Sequence, residues 1–282
     1  MNHALSKPGT ARLLSHLRTA PLLAFDFDGT LAPIVPQPQA AQLPESTRSR
    51  LALLLAQRPA VVLSGRSRSD VLRRLDGLPF VEVVGNHGSE PYLDLAPLQA
   101  FVQQVLPRLR ARLQGVGGIE IEDKGCSISA HYRRAFDRRT AIRRIQAVGK
   151  ELRFGCLIPG KYVMNLLPPG ALDKGQGLLL TMRRLQRSHA VYIGDDVPAA
   201  PPLYGLFTTI VGGPSENSVT YLGGWGVSND TAGRANSPPG RGPRRSAHRA
   251  RPGLVERLLG LFGNLLIHRT QEGRQAFQHR DL

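Results

Sequence analysis

Four clusters of polar residues stand where apolar runs end or a helix begins. The first run, Leu22-Leu23-Ala24-Phe25, leads into Asp26-Phe27-Asp28-Gly29-Thr30. In a strand, Asp26 and Asp28 share one face while Phe25 and Phe27 share the other. Carboxylates held together repel, so a metal ion or a shared proton must compensate, unless the aspartates simply cap the next helix. The second run, Val61-Val62-Leu63, ends in Ser64-Gly65-Arg66. A hydroxyl there can donate to a phosphate oxygen, and Gly65 lets backbone approach closely; an ordinary serine in a turn is the plainer alternative. The third cluster is Asp173-Lys174 at a helix start, where a lysine beside helix N–H groups suits an anion. The fourth follows Ala190-Val191-Tyr192-Ile193 and reads Gly194-Asp195-Asp196. Adjacent carboxylates at a strand end suit Mg²⁺, a hard cation that takes oxygen ligands, or again a helix cap.

Short continuous apolar runs bounded by polar residues fit buried parallel strands, predicted at 22–25, 61–63 and 190–193. Segments 44–57, 67–75 and 174–187 read as helices, the second opening on a capping box of Ser67 and Asp70. Strands alternating with helices predict a doubly wound α/β sheet covered on both faces, with ligands collecting at the strand carboxyl ends. Residues 93–170 read as an inserted α+β domain. It has helices at about 97–113 and 137–152 and strands at 119–122, 126–132 and 161–167. The main domain then comprises 1–92 and 171–227. Residues 228–252, rich in Gly, Pro, Ser and Arg, read as linker, and 254–267 as one amphipathic helix.

The chain has 282 residues, 41% of them apolar, and a net charge of +16. Its length allows one large domain or two small ones. The charge favours anionic partners such as phosphorylated metabolites. Nucleic acid is disfavoured because no aromatic residues interleave with the basic ones. Two cysteines, Cys126 and Cys156, exclude a disulfide scaffold and fit a reducing cytosol. We expect no secretory leader, no transmembrane segment, a cytoplasmic location and a monomer.

The order of the clusters, Asp-x-Asp-x-Thr, then Ser, then Lys, then Gly-Asp-Asp, resembles the haloacid dehalogenase superfamily. The strings DFDGTLAPIVPQP, VVLSGRS, VGNHGSE, EDKGCSISAHYR, DKG and VYIGDD narrow the resemblance to the trehalose-6-phosphate phosphatases, over about residues 20–225. The resemblance implies a Rossmann-like core with the insertion as a cap. It implies Asp26 as a nucleophile that becomes phosphorylated and Asp28 as the acid and base. Ser64 and Lys174 would neutralise phosphate oxygens. Mg²⁺ would sit on Asp26, Asp28 (through its backbone carbonyl) and Asp195, with Asp196 beside it. Sugar binding would fall to Glu122, Lys124, His131, Arg133 and Asn165 on the cap and to Arg66 and His87 on core loops facing it.

Three departures stand out. The family follows Gly-Asp-Asp with an acidic stretch, whereas this chain reads Val197-Pro198-Ala199-Ala200-Pro201-Pro202 and lacks the acid at 199. Asn165 occupies a place where the family has glutamate. Nothing after about residue 225 resembles the family's last strand and helix. These departures keep two alternatives open: a phosphatase for another sugar phosphate, and a member that binds sugar phosphate without turning it over.

Overall fold

The computed structural model describes Leu17, residues 20–35, 37–160 and 162–194, and the backbone of 206–211 and 222–225. The Asp195-Asp196 pair, the 197–202 stretch, the linker and the amphipathic tail helix lie outside the described residues.

The three predicted strands form as β1 (Leu22–Asp26), β2 (Ala60–Leu63) and β8 (His189–Gly194). Two further core strands, β9 (Leu206–Val211) and β10 (Leu222–Trp225), follow, and β3 (Glu82–Val84) lies between β2 and the insertion. The sheet order is β10-β9-β8-β1-β2-β3, parallel except at the β10 edge. Both faces of β1 are buried, which explains its unbroken apolar run. Leu23 and Phe25 pack under α1 (Glu45–Leu55) and α2 (Arg68–Leu75) with Leu51, Leu54, Val71 and Leu75. Leu22 and Ala24 pack on the other face with Leu178 and Met182 of α5 (Lys174–Arg184). The doubly wound reading therefore holds.

The insertion builds a separate antiparallel sheet from β4 (Glu120–Asp123), β5 (Ile128–His131), β6 (Cys156–Gly160) and β7 (Val163–Leu167), in the order β4-β5-β7-β6. Helices α3 (Ala96–Leu113) and α4 (Arg138–Glu151) cover one face, burying Val102, Leu109 and Ile145 against Ile128, Ala130, Met164 and Leu166. Alternation then puts Glu122, Ser129 and Asn165 on the opposite face. They lie in one cross-strand row, since Glu122 pairs with Ser129 and Ser129 with Asn165.

Three sequence expectations need correction. Residues 126–127 belong to a turn rather than to β5: Lys124 N–H donates to the Ser127 carbonyl at 3.0 Å, with Gly125 at φ 77°. Strand β6 was not foreseen, because it contains Pro159 and Gly160; as the edge of its sheet it tolerates a proline. The capping box at α2 is only half formed. Ser67 Oγ accepts from Asp70 N–H at 3.3 Å, but the Asp70 carboxylate is taken by arginines. The reciprocal box opens α5 instead, between Asp173 and Gln176.

Candidate active site

Asp26 is the last residue of β1, and alternation turns its side chain to the α5 side of the sheet. Lys174, the first residue of α5, reaches it there: Nζ donates to Asp26 Oδ2 at 2.9 Å, both side chains being buried. The other carboxylate oxygen accepts the Phe27 N–H at 2.7 Å. Asp28 lies beyond the strand and is 39% exposed. Arg66 grips both of its oxygens, with Nε to Oδ2 at 2.8 Å and Nη2 to Oδ1 at 2.7 Å. The sequence pattern called for a metal ion or a shared proton to offset two neighbouring carboxylates. The structure supplies a separate cation for each. Burial opposes the charge on Arg66, but Asp28 and Asp70 raise its guanidinium still further above the ordinary arginine value.

Ser64 follows β2 and is fully buried, with its Oγ accepting the Arg66 N–H at 3.1 Å. The segment 85–90 holds this loop. Asn86 N–H donates to the Arg66 carbonyl at 2.7 Å and His87 N–H to the Ser64 carbonyl at 2.9 Å. Glu90 Oε2 accepts from Arg68 N–H at 2.6 Å and from Asn86 Nδ2 at 2.9 Å. The His87 ring is buried against Gly65, where a Cβ would meet it at 2.6 Å. So His87 packs against the β2–α2 loop.

The same segment also sets the start of α5. Ser89 Oγ accepts the Leu172 N–H at 3.2 Å, and Gly88, at φ 121°, lies flat against the Asp173 carbonyl. A side chain there would be strained twice, by its backbone and by that carbonyl. Gly88→Ala is therefore expected to lower stability by about 3 kcal/mol or more, read as a fall in the urea midpoint. An unchanged midpoint would mean that this contact does not position Lys174.

On the cap, Glu122 Oε2 pairs with His131 Nε2 at 2.8 Å. That hydrogen bond, opposed by burial and helped by Lys124, holds the Glu122 carboxyl below its ordinary value. Burial pushes the Lys124 ammonium down, against the fields of Glu122 and Asp28; the charges of Arg66 and Lys174 push it further. Lys124 thus lies within the fields of Glu122, Asp28, Arg66 and Lys174, and Glu122 within that of Arg66, across the core–cap junction. Asn165 belongs to the same row as Glu122, and its Oδ1 accepts the Ser129 hydroxyl at 2.7 Å. Arg133 lies two residues past His131, the last residue of β5; it is exposed, with its guanidinium carbon 5.7 Å from the Tyr162 ring centre.

One residue of the cluster escaped the sequence reading. Asp70 takes hydrogen bonds from Arg66, Arg73 and Arg74. Burial would raise its carboxyl, but the bonds from Arg74, Arg73 and Arg66 hold it at about 2. Sequence showed only an acid in the first turn of a helix.

The geometry is thus a nucleophile-sized carboxylate beside a buried ammonium, a second carboxylate on a guanidinium, and a hydroxyl at the next strand end. A sequence model of the family described as trehalose-phosphatase matches residues 24–198, which span this whole arrangement. The chain belongs to that family. The trehalose-phosphate phosphatase of Mycobacterium avium (strain 104) is 32% identical over 212 residues, covering 69% of this chain and 52% of that protein. The one from Mycobacterium ulcerans (strain Agy99) is 34% identical over 194 residues, covering 63% and 49%. The chain spans about half the length of these curated relatives. The C-terminal domain of the Candida albicans trehalose-6-phosphate phosphatase superposes with a TM-score of 0.55 at 22% identity, over 70% of this chain and 77% of that one. That likeness establishes the haloacid dehalogenase-like fold with its cap. The trehalose-phosphatase match ends within the 197–202 stretch, where the sequence loses its acids.

Among the described residues no helix is long and apolar enough to cross a membrane, and no three His, Cys, Asp or Glu side chains form a metal-binding group. Asp26, a described carboxylate at a strand end, still suits a hard cation. Asp195 follows β8, which pairs with β1, and lies outside the described residues.

Proposed function

We propose that this trehalose-phosphatase family member hydrolyses trehalose 6-phosphate to trehalose and phosphate. The buried Asp26–Lys174 contact at 2.9 Å, at the carboxyl end of the central strand, carries the reading. An Asp26 oxygen attacks phosphorus, and the bond from phosphorus to the sugar oxygen breaks. Asp28 gives that oxygen its proton. Asp28 then takes a proton from water, the water oxygen attacks the aspartyl-phosphate, and the bond from phosphorus to Asp26 breaks. Dividing the displacement in this way replaces one difficult step by two easier ones. Lys174 and Ser64 neutralise and orient the phosphoryl oxygens, on which this chemistry chiefly depends. Mg²⁺ would be held by Asp26, Asp28, Asp195 and Asp196, and would offset phosphate charge. Glu122, Lys124 and Asn165 would take sugar hydroxyls, and Arg66 would stand at the junction. Two unbridged cysteines support a cytoplasmic setting.

One observation favours a second reading, a different sugar phosphate. Where the family has glutamate, Asn165 carries no charge, its oxygen already accepts from Ser129, and it offers a ligand an amide donor that glutamate lacks. The test is phosphate release from trehalose 6-phosphate, sucrose 6-phosphate, a glucosyl-polyol phosphate and glucose 6-phosphate, with Mg²⁺ or with EDTA. Trehalose 6-phosphate should be the best substrate, and EDTA should abolish release. Preference for another disaccharide phosphate supports the second reading. Release from none of them would sink the phosphatase assignment, and release undiminished by EDTA would sink the metal.

A further inference from the structure

Arg66 touches two carboxylates with opposite edges of one planar group. Its Nε and Nη2 hold Asp28, and its Nη1 donates to Asp70 Oδ2 at 3.1 Å. A guanidinium presents its donors in a rigid plane, so fixing one edge fixes the direction of the other. Asp70 is itself fixed. Its N–H is capped by Ser67, and its carboxylate also takes Arg74 Nε and Arg73 Nη2, each at 2.9 Å. Arg74 in turn donates to the carbonyls of Gln39 and Ala41, in the stretch that follows β1. The line of contacts runs from 39–41 through Arg74, Asp70 and Arg66 to Asp28. Exposure changes along it: the side chains of Arg74 and Arg66 are 14% and 13% exposed, against 39% for Asp28. The end that meets substrate is wet, and what aims it is dry. The Phe27 ring, 5.8 Å from the guanidinium centre, adds a third side to the clamp.

We propose that Asp70 is a positioning residue for proton transfer: it anchors Arg66, and Arg66 holds the Asp28 carboxylate where the leaving oxygen and the attacking water meet it. The proposal rests on the acid–base role given to Asp28 above. Asp70 touches no reacting atom. A carboxylate that served only to hold α2 would need Arg73 and Arg74, not a third arginine whose other edge is on Asp28.

The experiment exploits the leaving group. A sugar oxygen must be protonated as it departs, whereas p-nitrophenolate leaves without a proton. Full-length Asp70→Asn with Mg²⁺ is expected to lose about tenfold or more in kcat/KM on trehalose 6-phosphate. Its kcat/KM on p-nitrophenyl phosphate should stay within about threefold, because that ratio reports formation of the aspartyl-phosphate and not the water step that the two esters share. Arg73→Ala, which removes only the exposed partner of Asp70, should leave both esters unchanged. Equal losses of kcat/KM on the two esters, or no loss on either, overturn the proposal. If Asp70→Asn does not fold, Asp70→Glu carries the test. It displaces the guanidinium while keeping the charge, so the same split should appear at smaller size, and its absence overturns the idea. Wild-type protein that hydrolyses trehalose 6-phosphate beside an Asp70 variant with no split refutes this inference alone. Wild-type protein that hydrolyses neither ester refutes the phosphatase reading and this inference with it.

Discussion

Asp26→Asn is expected to abolish phosphate release from trehalose 6-phosphate, by a factor on the order of a thousand or more. An amide is nearly the same shape as a carboxylate but a far poorer nucleophile. It would also bring no charge to a metal ion bound there. The fold should survive, for a reason visible in the contacts. Asp26 accepts from two donors, Phe27 N–H and Lys174 Nζ, through different oxygens. The single Asn oxygen keeps one of them, and the amide nitrogen faces the other. The variant should therefore unfold cooperatively at a somewhat lower temperature, with an unchanged far-ultraviolet spectrum. Turnover above a few per cent of wild type, after purification from any contaminating phosphatase, would remove the covalent step from the mechanism.

Much of this arrangement was legible in the sequence because it lies where regular structure meets buried chemistry. Leu22–Phe25, Val61–Leu63 and Ala190–Ile193 are continuous apolar runs because their strands are covered on both faces. Where each run stops, the sheet ends, so Asp26 and Ser64 announce themselves. The rest depends on contacts that no spacing reports. Strand β3 was invisible because its first residue is Glu82, an acid buried beside Arg68 and Arg184 from two different helices. The VGNHGSE string could be matched to a family, but its physical sense needs three dimensions: His87 packs on Gly65, Gly88 on Asp173, and Glu90 holds the start of α2. Asp70 was misassigned for the same reason. Its sequence neighbours suggest a helix cap, whereas its spatial partners are arginines, one of which points back to Asp28. Arg133 belongs to the matched string, but its contact with the Tyr162 ring is again one that no spacing reports.

Lys174→Met should cost both turnover and stability, and the two losses have different origins. Turnover should fall on the order of a hundredfold or more, since a preorganised cation next to the transferring phosphoryl group is lost. Stability should fall because the Asp26 side chain, 4% exposed, keeps its charge while its ammonium partner is gone. Breaking a buried pair from one side costs about 3–5 kcal/mol, more than the pair contributes over two neutral groups. It follows that the double variant Asp26→Asn/Lys174→Met should be more stable than Lys174→Met alone, although it lacks one more native group. The urea midpoints of the four proteins, measured in EDTA, give the coupling directly. Mg²⁺ adds a second arm that needs no turnover. If Asp26 is a metal ligand, Mg²⁺ should raise the midpoint of Lys174→Met more than that of wild type, because the ion replaces the missing positive charge. In the double variant that extra gain should disappear with the carboxylate. Additive losses in EDTA would mean that Asp26 and Lys174 do not act as a pair. A Mg²⁺ effect of the same size in all four proteins would place the ion elsewhere than on Asp26.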